Sequence, residues 1–206
     1  MYYLVHKMNK LFGKGKEKIL KYFYNHKLKE SYFSEILKET KLTPNTTLKH
    51  LETLRELQII DSTKKIANTF YRLNVSNPLV YSVLSCFDFE RFNTLPTERK
   101  KAILAFLDQL LVKPLIVVLF GSTAKGTYTK ESDVDLLIVY NKKEMNNNKL
   151  KEDIEAITGI LIQTIIIELD YFEEQILKED DKVITHAIKT GYPIQGFEQF
   201  YKRLLQ

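Results

Sequence analysis

Two short apolar runs, one ending at a glycine turn and the other opening on a pair of aspartates, limit what the chain can fold into. Leu115-Ile116-Val117-Val118-Leu119-Phe120 carries no polar residue and stops at Gly121-Ser122. The second run, Leu136-Leu137-Ile138-Val139-Tyr140, directly follows Asp133-Val134-Asp135. Short runs of this kind predict strands buried on both faces of a sheet. They are far too short to span a bilayer. Glycine after the first strand lets the backbone turn sharply and approach a ligand closely. Ser122 and Thr123 are then placed to start a short helix, whose free N–H groups favour phosphate, with Lys125 as a nearby counter-charge. On a strand, residues i and i+2 share a face, so Asp133 and Asp135 project together, roughly 6–7 Å apart at the backbone. Two carboxylates that close repel each other unless a cation lies between them, and hard oxygen ligands suit Mg²⁺ or Mn²⁺. The segment therefore predicts a nucleotide and metal site. Gly121, Ser122 and Lys125 would bind nucleotide, and Asp133 and Asp135 would hold metal and carry the chemistry.

Around this motif the chain alternates helix-like and strand-like pieces, the pattern of an α/β domain. Leu95-Pro96-Thr97 reads as a boundary, with Thr97 capping a helix from Glu98 to about Leu111. Ile160 to Ile167 reads as a strand, and Asp170 to Glu174 opens a helix with acids in its first turn. Val183 to Thr190 is another helix. Asn146-Asn147-Asn148 reads as a polar loop. His186 reads as a surface or packing histidine, and Cys86, the one cysteine, as a small buried hydrophobe.

The first third has a different texture. Glu17 to Asn25 and Ser31 to Thr40 have helical period, and Thr43-Pro44 opens a third helix with a favoured cap and first residue. Leu48, Leu51, Leu54 and Leu57 read as its inner stripe. Asn45, Thr46, Lys49, His50 and Thr53 lie opposite. Ile59-Ile60, the polar Asp61 to Lys65, and Thr69 to Leu73 read as a two-stranded ribbon. Three helices followed by a ribbon resemble a winged helix-turn-helix, which implies a DNA-binding module. Asn45, Thr46, Lys49 and His50 on the third helix, with Lys64 and Lys65 in the wing, are the candidate DNA contacts. Residues 1–75 hold 15 Lys/Arg against 7 Asp/Glu, while the whole chain carries only +5. Such a basic third meets a polyanion or is a solvated lysine-rich surface.

A single cysteine excludes an internal disulfide, and no secretory signal or membrane span is evident at Met1-Tyr2-Tyr3-Leu4-Val5-His6-Lys7 or elsewhere. The expectation is a cytoplasmic protein that does not engage a membrane.

Gly121-Ser122, ten intervening residues, and Asp133-Val134-Asp135 on a strand together resemble the DNA polymerase beta-like nucleotidyltransferase superfamily. The nearest likeness is to its minimal nucleotidyltransferases, over residues 97–206. The resemblance implies that the serine binds the triphosphate of an NTP, ATP above all. It also implies that the two aspartates hold Mg²⁺, and that a third carboxylate lies on a later strand. Gln163 falls at that place, and Glu168 lies at the strand's end. An amide cannot serve as a base near neutral pH, so binding and turnover are separate questions here.

The expected architecture is α+β. It has a winged helix over 1–75, a linker helix over 76–96, and an α/β nucleotidyltransferase domain over 97–206 with a small mixed sheet flanked by helices. The apolar 76–96 segment would pack the domains together or make a homodimer. Three functions fit. One is transfer of an NMP to an acceptor hydroxyl, with a HEPN-type partner protein as one acceptor that the resemblance implies. The others are a regulator of double-stranded DNA whose second domain senses nucleotide or is vestigial, and an antitoxin acting by stoichiometric binding.

Overall fold

The computed structural model of the chain describes residues 2–26, 29–65, 68–142 and 148–205. The chain divides into two compact units, one ending at Phe87 and the other running from Asp88 to Leu204.

In the first unit the elements are α1 (Tyr2–Asn25), β1 (Ser31–Tyr32), α2 (Phe33–Thr40), α3 (Pro44–Glu56), β2 (Ile60–Lys65) and β3 (Asn68–Leu73). The helical path of α1 is interrupted at Gly13. Thr43 caps α3, its hydroxyl accepting from the Thr46 N–H, and Pro44 fills the first helical position. The three strands form an antiparallel sheet in the order β1-β3-β2, with Tyr32 opposite Phe70 and Ser62 opposite Tyr71. Ile19, Phe23, Ile36, Leu51, Leu54 and Ile59 are fully buried between helices and sheet. Each such side chain contributes roughly 1.5–3 kcal/mol relative to exposure.

Two local expectations are corrected here. Ser31 and Tyr32 pair with β3 rather than opening a helix, so α2 starts at Phe33. In α3, Leu48 and Leu57 are exposed, while Thr47, Leu51 and Leu54 face inward. Leucines repeated every three residues slip by about 60° per step on a 3.6-residue helix. Four in a row therefore cannot all face one core.

Helix α4 (Pro78–Asn93) falls within the expected linker helix over 76–96, its first turn held by Asn77 Oδ1 accepting from the Leu79 N–H. The chain's division falls inside this helix, upstream of the Leu95-Pro96-Thr97 turn.

The second unit continues with α5 (Thr97–Gln109), β4 (Ile116–Phe120), α6 (Gly121–Lys125), β5 (Val134–Tyr140), α7 (Asn148–Thr158) and β6 (Ile162–Glu168). It closes with α8 (Leu169–Lys178), α9 (Lys182–Thr190), β7 (Tyr192–Gln195) and α10 (Phe197–Leu204). Thr97 is the first residue of α5 rather than its cap: Pro96 takes the cap position, without a side-chain hydrogen bond. Asn148 begins α7, while Asn146 and Asn147 of the expected loop lie outside the described residues.

The sheet order is β6-β5-β4-β7. β5 and β6 run parallel and the other pairs antiparallel, which makes a small mixed sheet. Val117, Leu119, Leu136, Ile138 and Tyr140 share one face and pack with Ala102, Ile103 and Phe106 of α5 and Ile154 of α7. The alternate residues Ile116, Val118, Leu137 and Val139 are equally buried. Helices therefore cover both faces, as the unbroken apolar character of the two runs requires. The site end of the sheet is where β4 finishes and β5 and β6 begin.

Candidate active site

Asp135 is placed by the sheet. In register it lies opposite Phe120 of β4 and opposite Gln163 of β6. Directly paired residues point to the same face, so Gln163 flanks the aspartate. Asp133 stands one residue before β5, and loop contacts hold it. Its carbonyl accepts from the Thr123 hydroxyl at 3.0 Å and from Arg99 Nη1 at 3.4 Å.

Gly121 opens α6 with φ +68°, a left-handed conformation that a side chain disfavours. A Cβ built there would stand 2.0 Å from Asp135 Oδ2. The Gly121 backbone and the Asp135 carboxylate thus share one small volume. Burial first, and the Asp133 carboxylate second, hold the Asp135 carboxyl above the usual carboxylate range. A divalent cation would relieve both costs, because it supplies the missing counter-charge. The donor set suits such an ion: two carboxylates, with the Gln163 amide oxygen alongside. Among the described residues no group of three His, Cys, Asp or Glu could hold a metal.

Lys125 at the end of α6 is exposed, and its ammonium donates to His186 Nε2 of α9 at 3.0 Å. The sequence reading gave His186 no part in the site, yet it touches the loop's cation. Ser122 is half-buried, and its carbonyl accepts from the Thr127 N–H. From α4, Arg91 lies with its guanidinium 4.0 Å from the centre of the Tyr192 ring and donates from Nη2 to the Ala124 carbonyl. Burial pushes the Tyr192 phenol well above its ordinary value.

Residues 100–201 match the family model of the nucleotidyltransferase domain. This part of the chain belongs to the nucleotidyltransferase superfamily. No curated protein and no solved structure matches the chain significantly.

In the nucleotidyltransferase domain Gln163 and Glu168, the two residues weighed for the third carboxylate's place, lie at opposite ends of β6. Gln163 lies beside Asp135. Glu168 pairs with Tyr140 at the far end of β6, about 16 Å along the strand and on the opposite face. It cannot complete the site. The buried Arg99, missed in the sequence, left one legible signal. It falls on the apolar stripe of α5, three, four and seven residues before Ala102, Ile103 and Phe106.

The candidate DNA contacts lie in the first unit. Asn45 and Lys49 are exposed on one face of α3. Thr46 is tied to the cap, its hydroxyl accepting from Thr43 at 2.8 Å. His50 sits at the edge of that face against α1: a Cβ on Gly15 would lie 2.2 Å from its Nε2. Burial, then Lys16 and Lys49, push the His50 imidazole below its ordinary value. Lys64 and Lys65 are exposed at the β2 end, and Lys65 pairs with Glu30 and lies 4.6 Å from the Phe70 ring centre. No helix among the described residues is long and apolar enough to cross a membrane.

Proposed function

We propose that the second unit transfers a nucleoside monophosphate from an NTP, ATP by preference, to an acceptor hydroxyl with Mg²⁺ or Mn²⁺. We further propose that residues 1–75 form a winged helix that binds double-stranded DNA. The observation that carries the first reading is the Gly121 backbone lying against the Asp135 carboxylate. A phosphate held on that loop would meet whatever cation the aspartates hold. Gly121 and Ser122 line the phosphate path, Lys125 adds positive charge, and Asp133 and Asp135 would hold the metal. When bound, that metal neutralises phosphate charge and polarises the reacting phosphorus. The acceptor oxygen forms a bond to the α-phosphorus as the bond to pyrophosphate breaks, and the acceptor proton leaves for a base.

One observation favours a second reading. Gln163 lies where a proton acceptor would stand beside Asp135, and an amide takes no proton near neutral pH. On that reading the site binds nucleotide and metal with little turnover, and the chain acts as a DNA-binding regulator or antitoxin. A HEPN-type protein, implied by the resemblance, is the partner to try as acceptor or as bound target.

The deciding experiment incubates the full chain with α-labelled ATP, Mg²⁺ and the product of the adjacent gene. Label on that product, absent with Asp133→Ala or Asp135→Ala, supports transfer. Stoichiometric nucleotide binding without label supports the second reading. Neither binding nor label overturns both. The first unit supports its part of the proposal through α1, α2 and α3 followed by the β2–β3 ribbon, with Asn45, Lys49 and Lys64 exposed.

A further inference from the structure

The two aspartates are held in place by different means. Asp135 has a strand on each side. Asp133 precedes the first residue of β5, so its place depends on the loop that follows α6. That loop is gathered by one side chain. Arg99, in the first turn of α5, is 3% exposed. Its Nη2 donates to the carbonyls of Thr129 and Ser132, both at 2.8 Å. Its Nη1 donates to Thr123 Oγ1 at 3.0 Å and to the Asp133 carbonyl at 3.4 Å. The Thr123 hydroxyl then donates to that same carbonyl at 3.0 Å. The Tyr128 ring lies 4.5 Å from the guanidinium carbon.

A buried arginine held by neutral oxygens is costly, and α5 could fill this position with an apolar side chain. What the guanidinium gains is a rigid planar fork that reaches several acceptors at fixed angles. All four acceptors lie in the two segments that carry the site, α6 and the stretch leading into β5. Thr123, one of them, is two residues from Gly121. The fork thus fixes the distance between the phosphate loop and Asp133.

We propose that Arg99 is a positioning residue: through Thr123 and the Asp133 carbonyl it sets where the Asp133 carboxylate stands, and so how tightly the site binds a divalent cation. It touches neither substrate nor metal. The proposal rests on the reading of Asp133 and Asp135 as metal ligands.

The test measures Mn²⁺ affinity of the full chain by electron paramagnetic resonance, well below the unfolding transition. Native protein and Asp133→Asn come first. If the native chain binds no Mn²⁺, or Asp133→Asn binds as well as native, the metal reading fails and this proposal with it. With that reading secure, Arg99→Lys keeps the charge but loses the fork. The expected result is a tenfold to hundredfold weaker Mn²⁺ affinity, the range for residues that orient metal ligands. Thr123→Val, of nearly equal volume, removes the other contact and is expected to weaken affinity in the same direction by less. A merely structural role lowers the unfolding temperature and leaves Mn²⁺ affinity of the folded protein unchanged. Unchanged affinity in Arg99→Lys overturns the proposal, and if that variant does not fold, unchanged affinity in Thr123→Val overturns it.

Discussion

Gly121 has no room for a side chain, because its backbone lies against the Asp135 carboxylate. Gly121→Ala would combine left-handed backbone strain, about 1–3 kcal/mol, with overlap against Asp135 Oδ2. The expected outcome is a lower unfolding temperature and at least about tenfold weaker nucleotide binding, read by thermal melting and calorimetric titration. Asp135→Asn should do the reverse to the metal-free fold. The Asp135 carboxyl is raised by burial and by Asp133, so the folded chain holds its proton more tightly than the unfolded chain. Its contribution to stability is therefore full below the ordinary Asp value near 3.8 and is lost as pH rises through the raised value. At neutral pH without divalent cation, Asp135→Asn is expected to melt higher than native, and the difference should close toward acid. Mn²⁺ should raise the native melting temperature and leave that of the variant unmoved. A variant that melts lower than native at neutral pH would contradict the charge argument. The pairing of Gly121 with Asp135 was legible because both lie beside runs that can only be strands. Arg99 was not, because charge ordinarily marks a surface. A guanidinium satisfied by carbonyls also leaves no partner acid in the sequence to look for.

At the level of elements, α9 shows how a cap steadies a helix that touches the site. Asp181 Oδ1 accepts from the Val183 and Ile184 N–H groups at 2.9 and 3.1 Å. Those bonds, the Ile184 N–H foremost, hold its carboxyl below the ordinary value. This contribution is present above the ordinary Asp value and is lost as pH falls through the lower folded value. Asp181→Ala is expected to cost about 1 kcal/mol, or roughly 2–4 °C in melting temperature, in full at pH above about 4 and progressively less as pH falls through the lowered folded value. Equal destabilisation at pH 2.5 would count against it. Elements with strong signals came through in the sequence: the capped α3, the apolar β4 and β5, and the helix expected over 76–96, which is α4 (Pro78–Asn93). Shorter ones did not. β1 is two residues long, too short for any alternation to show, and it exists because β3 offers it a partner. α10 lies beyond the last strand read from the sequence, and Phe200 and Tyr201 reveal its inner face only once folded.

For the whole molecule, the charge asymmetry is the quantity to test. The basic first 75 residues carry the proposed DNA contacts, and phosphate neutralisation makes such binding steeply salt-dependent. Gel-shift affinity for double-stranded DNA is expected to fall with salt. Lys49→Ala with Lys64→Ala should shallow the logarithmic slope by about 2. Absence of binding at low salt would remove the DNA reading and leave the nucleotidyltransferase domain untouched. The nucleotidyltransferase domain was readable because Gly-Ser after an apolar run and an Asp-x-Asp pair before another each occur once in the chain. The residue that flanks Asp135 was readable as well: Gln163 falls where the resemblance implies a third carboxylate, and the strand register pairs it with Asp135. The register also has a consequence for solubility. Among the described residues β6 is the outer strand beside β5, and its Ile162-Gln163-Thr164-Ile165-Ile166-Ile167 carries no charge before Glu168. An outer strand of that composition is a template for pairing between molecules whenever the helices above it loosen. The same openness that leaves Gln163 accessible beside the aspartates makes β6 the segment where heat-induced aggregation would begin.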